Sequence, residues 1–242
     1  MKKVICLLLG LALAASAFVG CSQNEQIEQT EQTEQTELNE QQEQQEQMEQ
    51  QEQQEENNVM ELTGMHMTAE NVSPYEGIFL EDPALGTVSG VYAMKFTNTG
   101  DQTIHSTQLI FSNGVDDLVF WVEMLPAGRS VIVAEMNAKK VAAGEIQFVD
   151  GTMEDLEAGL ENPDAVEVTC GSSGMMEVRN ATQEPLPLVR VFYRPANGDG
   201  TLMGGPCYSV VIDGLDVDGI VELEAEYWDE NSAVVSVLVV NE

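Results

Sequence analysis

Three aspartates near the end of the chain form its densest group of potential metal ligands. Asp213, Asp216 and Asp218 are followed directly by Gly219, and clustered carboxylate oxygens are the ligands that Ca²⁺ takes in proteins. Their spacing differs from the alternating acidic loop of an EF-hand. Aspartate and glycine are also the residues that a tight turn needs. We therefore expect a turn here, with a calcium site as the alternative.

A methionine–histidine–methionine triplet offers a second kind of metal chemistry. Met65-His66-Met67 carries the thioether sulfur and imidazole groups that suit copper. The other histidine, His105, lies in a polar turn region, and no further Met-His pair completes a ligand set. Because side chains alternate along a strand, the triplet predicts Met65 and Met67 in a core and His66 outside. Copper binding is the alternative.

The residues available for nucleophilic catalysis are few. The chain has two histidines, no Gly-x-Ser-x-Gly elbow and no cysteine beside a histidine, although such groups are what activated nucleophiles need. The adjacency of His105 and Ser106 carries no weight, because catalytic triads assemble in space. We expect no enzyme and no cofactor, with a hydrolase as the alternative.

Three arginines are the only basic residues of the last third of the chain: Arg179, Arg190 and Arg194. Since side chains two apart in a strand point the same way, Arg190 and Arg194 are predicted to share a face, with Arg179 on the preceding strand. We expect them to pair with nearby acids. A small cationic binding site is the alternative.

The N-terminus has the pattern of an export signal. Lys2 and Lys3 precede an apolar run from Val4 to Leu13, which is too short for a stable membrane span. Cleavage has two candidate positions. Ala15-Ser16-Ala17 fits the small-x-small rule of secretory processing, which would release a soluble chain beginning at Phe18.

The second candidate position is Phe18-Val19-Gly20-Cys21, which resembles the lipobox of bacterial lipoproteins. The resemblance implies that residues 1–20 are a signal peptide and that Cys21 becomes the diacylated N-terminus. Two acyl chains anchor a protein stably to a membrane, whereas one is marginal. We therefore expect an exported protein, lipid-anchored on the outer face of the cell membrane or elsewhere in the bacterial envelope.

Cys170 and Cys207 remain once Cys6 has left with the signal and Cys21 is acylated. Disulfides form in the compartments to which such a chain is exported. A bridge would close a loop of about 38 residues, for which chain entropy predicts about 4 kcal/mol of stabilisation. We expect either this disulfide or two free thiols.

The charge of the chain is strongly acidic, with 42 acidic against 9 basic residues and a net charge of −33. Residues 58–242 alone carry a net charge of −23. Such a surface cannot neutralise phosphates, which argues against nucleic acid as a partner. It would also repel anionic lipid head groups, so we expect membrane contact through the anchor.

Residues 21–58 form a low-complexity tether in which glutamate recurs at every third position from Glu25 to Glu55. A period of three leaves no apolar seam, so the pattern disfavours a coiled coil. Nothing in the segment can bury enough surface to offset chain entropy. We expect a disordered or weakly helical spacer.

From about Met60 the sequence favours short strands separated by turns. Tyr92, Met94 and Phe96 alternate on one predicted face. Asn113-Gly114 stands between two apolar runs, which is a strong hairpin signal. Between the two halves of this region, Thr152 to Leu156 resembles a capped helical turn.

The strand pattern occurs twice, at an offset of about 82 to 91 residues. The segment from Asn98 to Ile104 aligns with that from Asn180 to Leu186, and Asn197-Gly198 corresponds to Asn113-Gly114. Leu125 with Gly128 answers Leu215 with Gly219, after a few extra residues around Pro195 to Pro206. We infer an internal duplication, each copy long enough for a β-sandwich of about seven strands.

The duplicated region resembles the immunoglobulin-like modules of bacterial surface lipoproteins of the FxLYD type. Those modules carry an Asn-containing turn, an aromatic strand and a later Leu-x-x-Gly turn. Here the strand reads Arg190-Val191-Phe192-Tyr193-Arg194, and Phe192 and Tyr193 take the apolar and aromatic places. The resemblance implies tandem β-sandwiches on a cell surface and says little about chemistry.

The sequence therefore predicts an all-β chain with two tandem immunoglobulin-like antiparallel β-sandwich domains, residues 59–160 and 161–242, behind the signal and the tether. The expected function is a non-enzymatic surface module, binding or structural, and its partner would be another envelope or extracellular protein or a glycan. A calcium- or copper-handling lipoprotein and an envelope hydrolase are the alternatives. The oligomeric state is left open.

Overall fold

The computed structural model describes residues 59–140 and 146–240, which belong to one compact unit. The predicted signal peptide, Cys21 and the tether lie outside these residues. The secondary-structure elements of the described residues are β-strands, apart from two short 3₁₀ turns at Pro83–Leu85 and Pro163–Ala165. Within it, no helix is long and apolar enough to span a membrane. The predicted all-β class is confirmed.

The strands of the described residues, in chain order, form two groups that follow the duplication. The first group is β1 (Val59–Leu62), β2 (Met67–Asn71), β3 (Tyr75–Ile78), β4 (Thr87–Val91), β5 (Ala93–Asn98), β6 (Ile104–Ser112), β7 (Asp117–Leu125), β8 (Ser130–Ala134) and β9 (Gln147–Asp155). The second is β10 (Val166–Cys170), β11 (Met176–Asn180), β12 (Leu186–Arg194), β13 (Leu202–Met203), β14 (Tyr208–Leu215), β15 (Ile220–Leu223) and β16 (Ala233–Val240).

The first sandwich packs a sheet of order β1-β2-β5-β8-β13 against a sheet of order β7-β6-β9. Alternation decides which side chains meet between them, and Tyr92, Met94 and Phe96 all enter the shared core as predicted. Phe111 and Phe120 come from the facing sheet and make edge-to-face contact at 5.7 Å between ring centroids. The hairpin of β3 and β4 covers the outer face of the larger sheet through a small second core.

The second sandwich packs a sheet of order β10-β11-β15 against one of order β14-β12-β16. Val189, Val191 and Tyr193 alternate along β12 and point into its core. Met176 and Val178 enter the same core from β11. The second half therefore has a core of its own.

The two sandwiches repeat the same strand pairings, as the inferred duplication predicts. β5 pairs with β2 and β8, as β11 pairs with β10 and β15. β6 pairs with β7 and β9, as β12 pairs with β14 and β16. The shared unit thus has six strands in two sheets of three, one fewer than the seven expected from the sequence.

A buried asparagine occupies the same place in both copies. Asn98 and Asn180 are each 1 % exposed. The Asn98 amide donates to the backbone oxygens of Gln102 and Leu125, at 2.8 and 2.9 Å. The Asn180 amide donates likewise to Glu184, Leu215 and Asp216, at 2.9 to 3.1 Å. In each copy one side chain satisfies carbonyls that the turns between strands leave unpaired.

The hairpin predicted at Asn113-Gly114 joins β6 to β7. The Asn113 side chain accepts hydrogen bonds from the backbone N–H groups of Val115 and Asp116, at 2.9 and 2.8 Å. Gly114 has a φ of 84°, which glycine adopts without steric cost. The prediction is confirmed, and the Asn113 side chain stabilises the turn by accepting from the backbone two and three residues further on.

The prediction of a helical turn at Thr152 to Leu156 is wrong, because residues 152–155 are the last residues of strand β9 and Leu156 follows the strand directly. Thr152 and Met153 pair with Gln108 and Thr107 of β6. The Leu156 N–H donates to the Thr103 oxygen at 2.8 Å. The capping pattern is a local preference, and pairing with a long central strand outweighs it.

The extra residues of the second copy cross over to the first. The segment between β12 and β14 carries β13, whose Leu202 and Met203 pair in parallel with Val131 and Ile132 of β8. Gly204 N–H then donates to the Ile132 oxygen at 2.8 Å. The insertion noted between Pro195 and Pro206 therefore completes the largest sheet of the first sandwich and joins the two halves.

Candidate functional site at the junction of the sandwiches

Arg194 lies at the centre of the junction and is completely buried. It ends β12, on the face opposite Tyr193 and the core of its own sandwich. Arg190 and Arg194 were predicted to share one face of the strand, and Arg190 is exposed on that face. At Arg194, however, the first sandwich and the β13 segment cover that face.

The Arg194 guanidinium donates to four backbone oxygens at once. Three belong to the β13 segment: Gly204, Gly205 at 2.7 Å and Pro206 at 2.9 Å. The fourth is the oxygen of Glu123 on β7 of the first sandwich. Only the Nε has no partner among the described residues. Because the planar guanidinium holds its donors in a fixed fork, it fixes the relative positions of β7, β12 and the β13 segment.

Two glycines let these segments approach so closely. Gly204 has a φ of 81°, and a Cβ there would meet the Cβ of Leu80 at 2.7 Å. A Cβ on Gly205 would overlap the backbone oxygen of Trp121. A side chain at either position would force the β13 segment away from the first sandwich.

Two carboxylates accompany the buried cation. Glu81 accepts hydrogen bonds from the backbone N–H groups of Ala134 and Gly205, at 2.9 and 3.3 Å. Glu123 accepts one from the Cys207 N–H at 3.1 Å. Burial raises the pKa of Glu81 above its ordinary value, and Arg194 acts in the opposite direction. The junction therefore holds one buried cation beside two half-buried acids, and the hydrogen bonds of all three connect different chain segments.

The two cysteines expected to be bridged or free are both free thiols in the structure. Cys170 ends β10 and is exposed, whereas Cys207 is half-buried and lies directly before β14. Burial raises the pKa of the Cys207 thiol to about 11, against an opposing effect of Arg194. A disulfide between them stays a prediction.

An aromatic groove of about 320 Å³ opens beside the junction and takes walls from both sandwiches. The first sandwich contributes one aromatic and two aliphatic side chains, and the second contributes two aromatic rings, a methionine, a proline and one acid. These residues are Tyr75, Ile78, Leu80, Pro195, Met203, Tyr227, Trp228 and Asp229. Ile78 is 49 % exposed, so apolar surface is open to solvent here.

The rings of the groove are held by contacts behind them. Trp228 packs edge-to-face on Tyr193 at 5.4 Å between ring centroids, and Tyr227 lies 5.2 Å from Tyr208. Across the groove, the Tyr75 hydroxyl donates to the Ile78 oxygen at 2.6 Å. Tyr227 has a φ of 56°, a left-handed conformation that bulky residues rarely adopt. Backbone strain of this kind clusters at functional sites, although His66, Met124, Ala138 and Asp218 of the described chain also have positive φ values.

A second, more polar crevice of about 480 Å³ lies between β16 and the turns of the first sandwich. Ser236 is 4 % exposed at its base and its hydroxyl has no hydrogen-bond partner among the described residues. Thr103 donates to Glu161 at 3.0 Å along its wall. The crevice is larger but has no aromatic wall, so the aromatic lining of the groove makes the groove the stronger candidate for ligand binding.

The residues of the two metal hypotheses take up structural positions. Met65 and Met67 are buried in the first core and His66 is exposed, as predicted, but Met65 and His66 lie in the turn before β2 rather than on a strand. Asp216 and Gly219 close the predicted turn through a 2.9 Å backbone hydrogen bond. In the described part of the chain, no group of three His, Cys, Asp or Glu side chains is arranged to hold a metal ion.

The other candidates lie apart from one another. His105 is on β6 rather than in a turn, 3.6 Å from a carboxylate oxygen of Glu154. Arg179 pairs with Asp218 at 3.8 Å on the surface, and Arg190 stacks on the Phe192 ring at 5.5 Å. Since Arg194 is buried elsewhere, the structure does not bring the three arginines together as a cationic site.

Sequence reasoning missed the aromatic groove. Its walls come from β3, from the β13 insertion and from the turn after β15, which are remote in the sequence. One signal was present, since Tyr227-Trp228-Asp229 places two large rings and an acid in a turn, where exposed aromatic residues are typical of binding surfaces.

No protein family, curated protein or solved structure matches this chain. The FxLYD-type resemblance therefore stays a prediction, and the case for a function rests on the geometry of the junction and its groove.

Proposed function

We propose that the protein is a non-enzymatic binding protein, anchored through Cys21 to the outside of a bacterial cell, and that the aromatic groove is its ligand-binding surface. One observation supports this most directly: both sandwiches build the groove, and Arg194 holds them in one arrangement beside it. A ligand would meet a preformed surface, which lowers the entropy lost on binding.

The chemistry of the surface narrows the ligand. Aromatic and aliphatic side chains line most of the groove, and Asp229 is the only charged residue among the described residues that line it. A polyanion would meet no cation there, and the net charge of −23 on residues 58–242 would repel it. Glycans and peptides remain suitable, since both present apolar faces that pack on aromatic rings.

The proposal can be tested with the full chain purified from membranes in a non-ionic detergent. We would probe arrays of glycans and of extracellular peptides with the wild type and with Trp228→Leu. The matched control is Trp121→Leu, because Trp121 is a half-buried tryptophan of β7 that does not line the groove.

The proposal predicts at least one ligand that the wild type and Trp121→Leu bind and Trp228→Leu does not, with all three chains showing the same β-sheet circular dichroism. Binding that survives Trp228→Leu would place the ligand elsewhere on the molecule. An absence of Trp228-dependent binding on both arrays would exclude glycans and peptides as ligands of the groove.

A further inference from the structure

The aromatic groove combines ring surfaces with a single negative charge. Tyr75, Tyr227 and Trp228 contribute the rings, and Asp229 contributes the charge. From this combination we propose that the groove binds an organic cation bearing a quaternary ammonium group, of the choline type. The inference rests on the proposed function and names the chemical group by which the groove recognises its ligand.

The rings supply the first part of the argument. The face of an aromatic ring carries a partial negative charge, so cations are attracted to it, and most strongly to tryptophan. At partly desolvated sites, one such contact changes affinity by about 2- to 30-fold. A groove with three rings can combine several such contacts around one cation.

The acid supplies the second part. Asp229 accepts hydrogen bonds from the N–H groups of Asn231 and Ser232, both at 2.9 Å, and from the Ser232 hydroxyl. These bonds fix the carboxylate at the rim through the turn that also carries Trp228. All three bonds are accepted by the same carboxylate oxygen, Oδ1 of Asp229, so the bonds that form the turn also fix the position of the negative charge.

The scarcity of acceptors distinguishes among cations. A metal ion or a primary ammonium is strongly hydrated and needs several oxygens to replace its water. The groove offers one carboxylate among side chains that are otherwise mainly apolar. A quaternary ammonium donates no hydrogen bonds and presents methyl groups, so it needs only ring surface and a nearby negative charge.

The groove is also formed before any ligand arrives. The contacts of Trp228 with Tyr193 and of Tyr227 with Tyr208 hold the two rings from behind. The Tyr75 ring is held by its bond to the Ile78 oxygen. The net charge of −23 on residues 58–242 adds a field that concentrates cations near the surface.

The positive charge of Arg194 does not repel a cation in the groove. Arg194 precedes Pro195 of the groove, but its guanidinium is buried and bonded to four carbonyl oxygens. Glu81 and Glu123 lie close enough to offset its charge. The charge of the Arg194 guanidinium is thus screened from a ligand in the groove.

The test uses tryptophan fluorescence, because the chain has two tryptophans. In full-length Trp121→Phe, purified in a maltoside detergent that carries no ammonium group, Trp228 is the sole tryptophan. We would titrate this chain with choline, with 3,3-dimethylbutan-1-ol, which is the neutral isostere of choline, and with sodium chloride to match ionic strength.

We expect choline to change the fluorescence saturably and to bind at least about tenfold more tightly than the neutral alcohol. Asp229→Asn keeps an oxygen that can accept the bonds of the turn and removes only the charge, so it should weaken choline several-fold and leave the alcohol unchanged. Calorimetry on the wild type and Trp228→Leu should show choline binding only in the former.

Two results would overturn the inference. Equal affinity for choline and the neutral alcohol would show that the groove binds apolar groups without regard to charge. The absence of a saturable response to choline would show that the groove does not bind quaternary ammonium groups. If a glycan or peptide still bound in a manner dependent on Trp228, this inference would fail while the proposed function stood.

Discussion

Replacing Arg194 by methionine tests the role of the junction most severely. Methionine has a similar length and fills space flexibly, so the change removes the charge and the donors while leaving much of the volume. Four backbone oxygens would lose their partner, on Gly204, Gly205, Pro206 and Glu123.

The magnitude follows from what is left behind. A buried acceptor without a partner costs about 1–3 kcal/mol, and removing one member of a buried charged group costs about 3–5 kcal/mol. Glu81 and Glu123 would also lose the nearby positive charge. Because water and small movements can relieve part of this, we expect Arg194→Met to lower the free energy of unfolding by about 3–5 kcal/mol.

Urea denaturation followed by circular dichroism measures this difference. Arg190→Met is the matched control, since Arg190 lies four positions earlier on the same strand, is exposed and stacks only on Phe192. We expect a loss of at most about 1 kcal/mol from the control. In thermal melts, the loss for Arg194→Met corresponds to a drop of about 6–20 °C in a unit of this size.

The reasoning would be refuted if the two variants unfolded within about 1 kcal/mol of each other. That result would mean that the bonds of Arg194 are replaced by water at no cost. The junction would then be held by the β13 pairing and by apolar contacts alone.

Four further predictions concern other parts of the chain. Asn180→Asp should lower the free energy of unfolding by about 2–4 kcal/mol in urea titrations, because an acceptor would then face three backbone oxygens; a loss below about 1 kcal/mol would contradict this. Burial raises the pKa of Glu81 above its ordinary value of 4.5, so the folded state holds that proton more tightly than the unfolded state. In urea titrations at several pH values, the free energy of unfolding of the wild type should therefore rise relative to that of Glu81→Gln as the pH falls through the raised pKa towards 4.5. The same pH dependence in both chains would contradict this. Alkylation of the native chain at pH 8, read by peptide mass spectrometry, should label the exposed Cys170 quickly and Cys207 slowly, since burial raises the pKa of Cys207 to about 11; labelling of both only after reduction would show the disulfide instead. Mass spectrometry of the mature chain should find a diacylated N-terminal Cys21, and an unmodified chain beginning at Phe18 would exclude the anchor.

Local patterns were enough to predict the repeated part of the fold. Alternation placed Tyr92, Met94 and Phe96 in the core, and Asn113-Gly114 marked its hairpin. The alignment of Asn98 with Asn180 marked two equivalent positions, although it did not show that both side chains are buried. Each of these features depends on neighbours within one strand or one turn, which a sequence shows directly.

The junction could not be predicted in the same way, because its contacts are distant in the sequence. Arg194 lies on a strand where the sequence alone suggests an exposed base, and it is buried by two distant parts of the chain, the β13 segment and β7 of the first sandwich. The groove brings Tyr75 together with Trp228, which lies in the other sandwich. The same cause explains the wrong helical turn at Thr152 to Leu156, where pairing with β6 outweighs a local preference.

The central claim is that the two sandwiches act as one rigid body that presents a shared groove. Differential scanning calorimetry of the full chain tests it most directly. The account predicts a single transition in which the calorimetric and van't Hoff enthalpies agree. Two separable transitions, with one sandwich melting while the other stays folded, would contradict it.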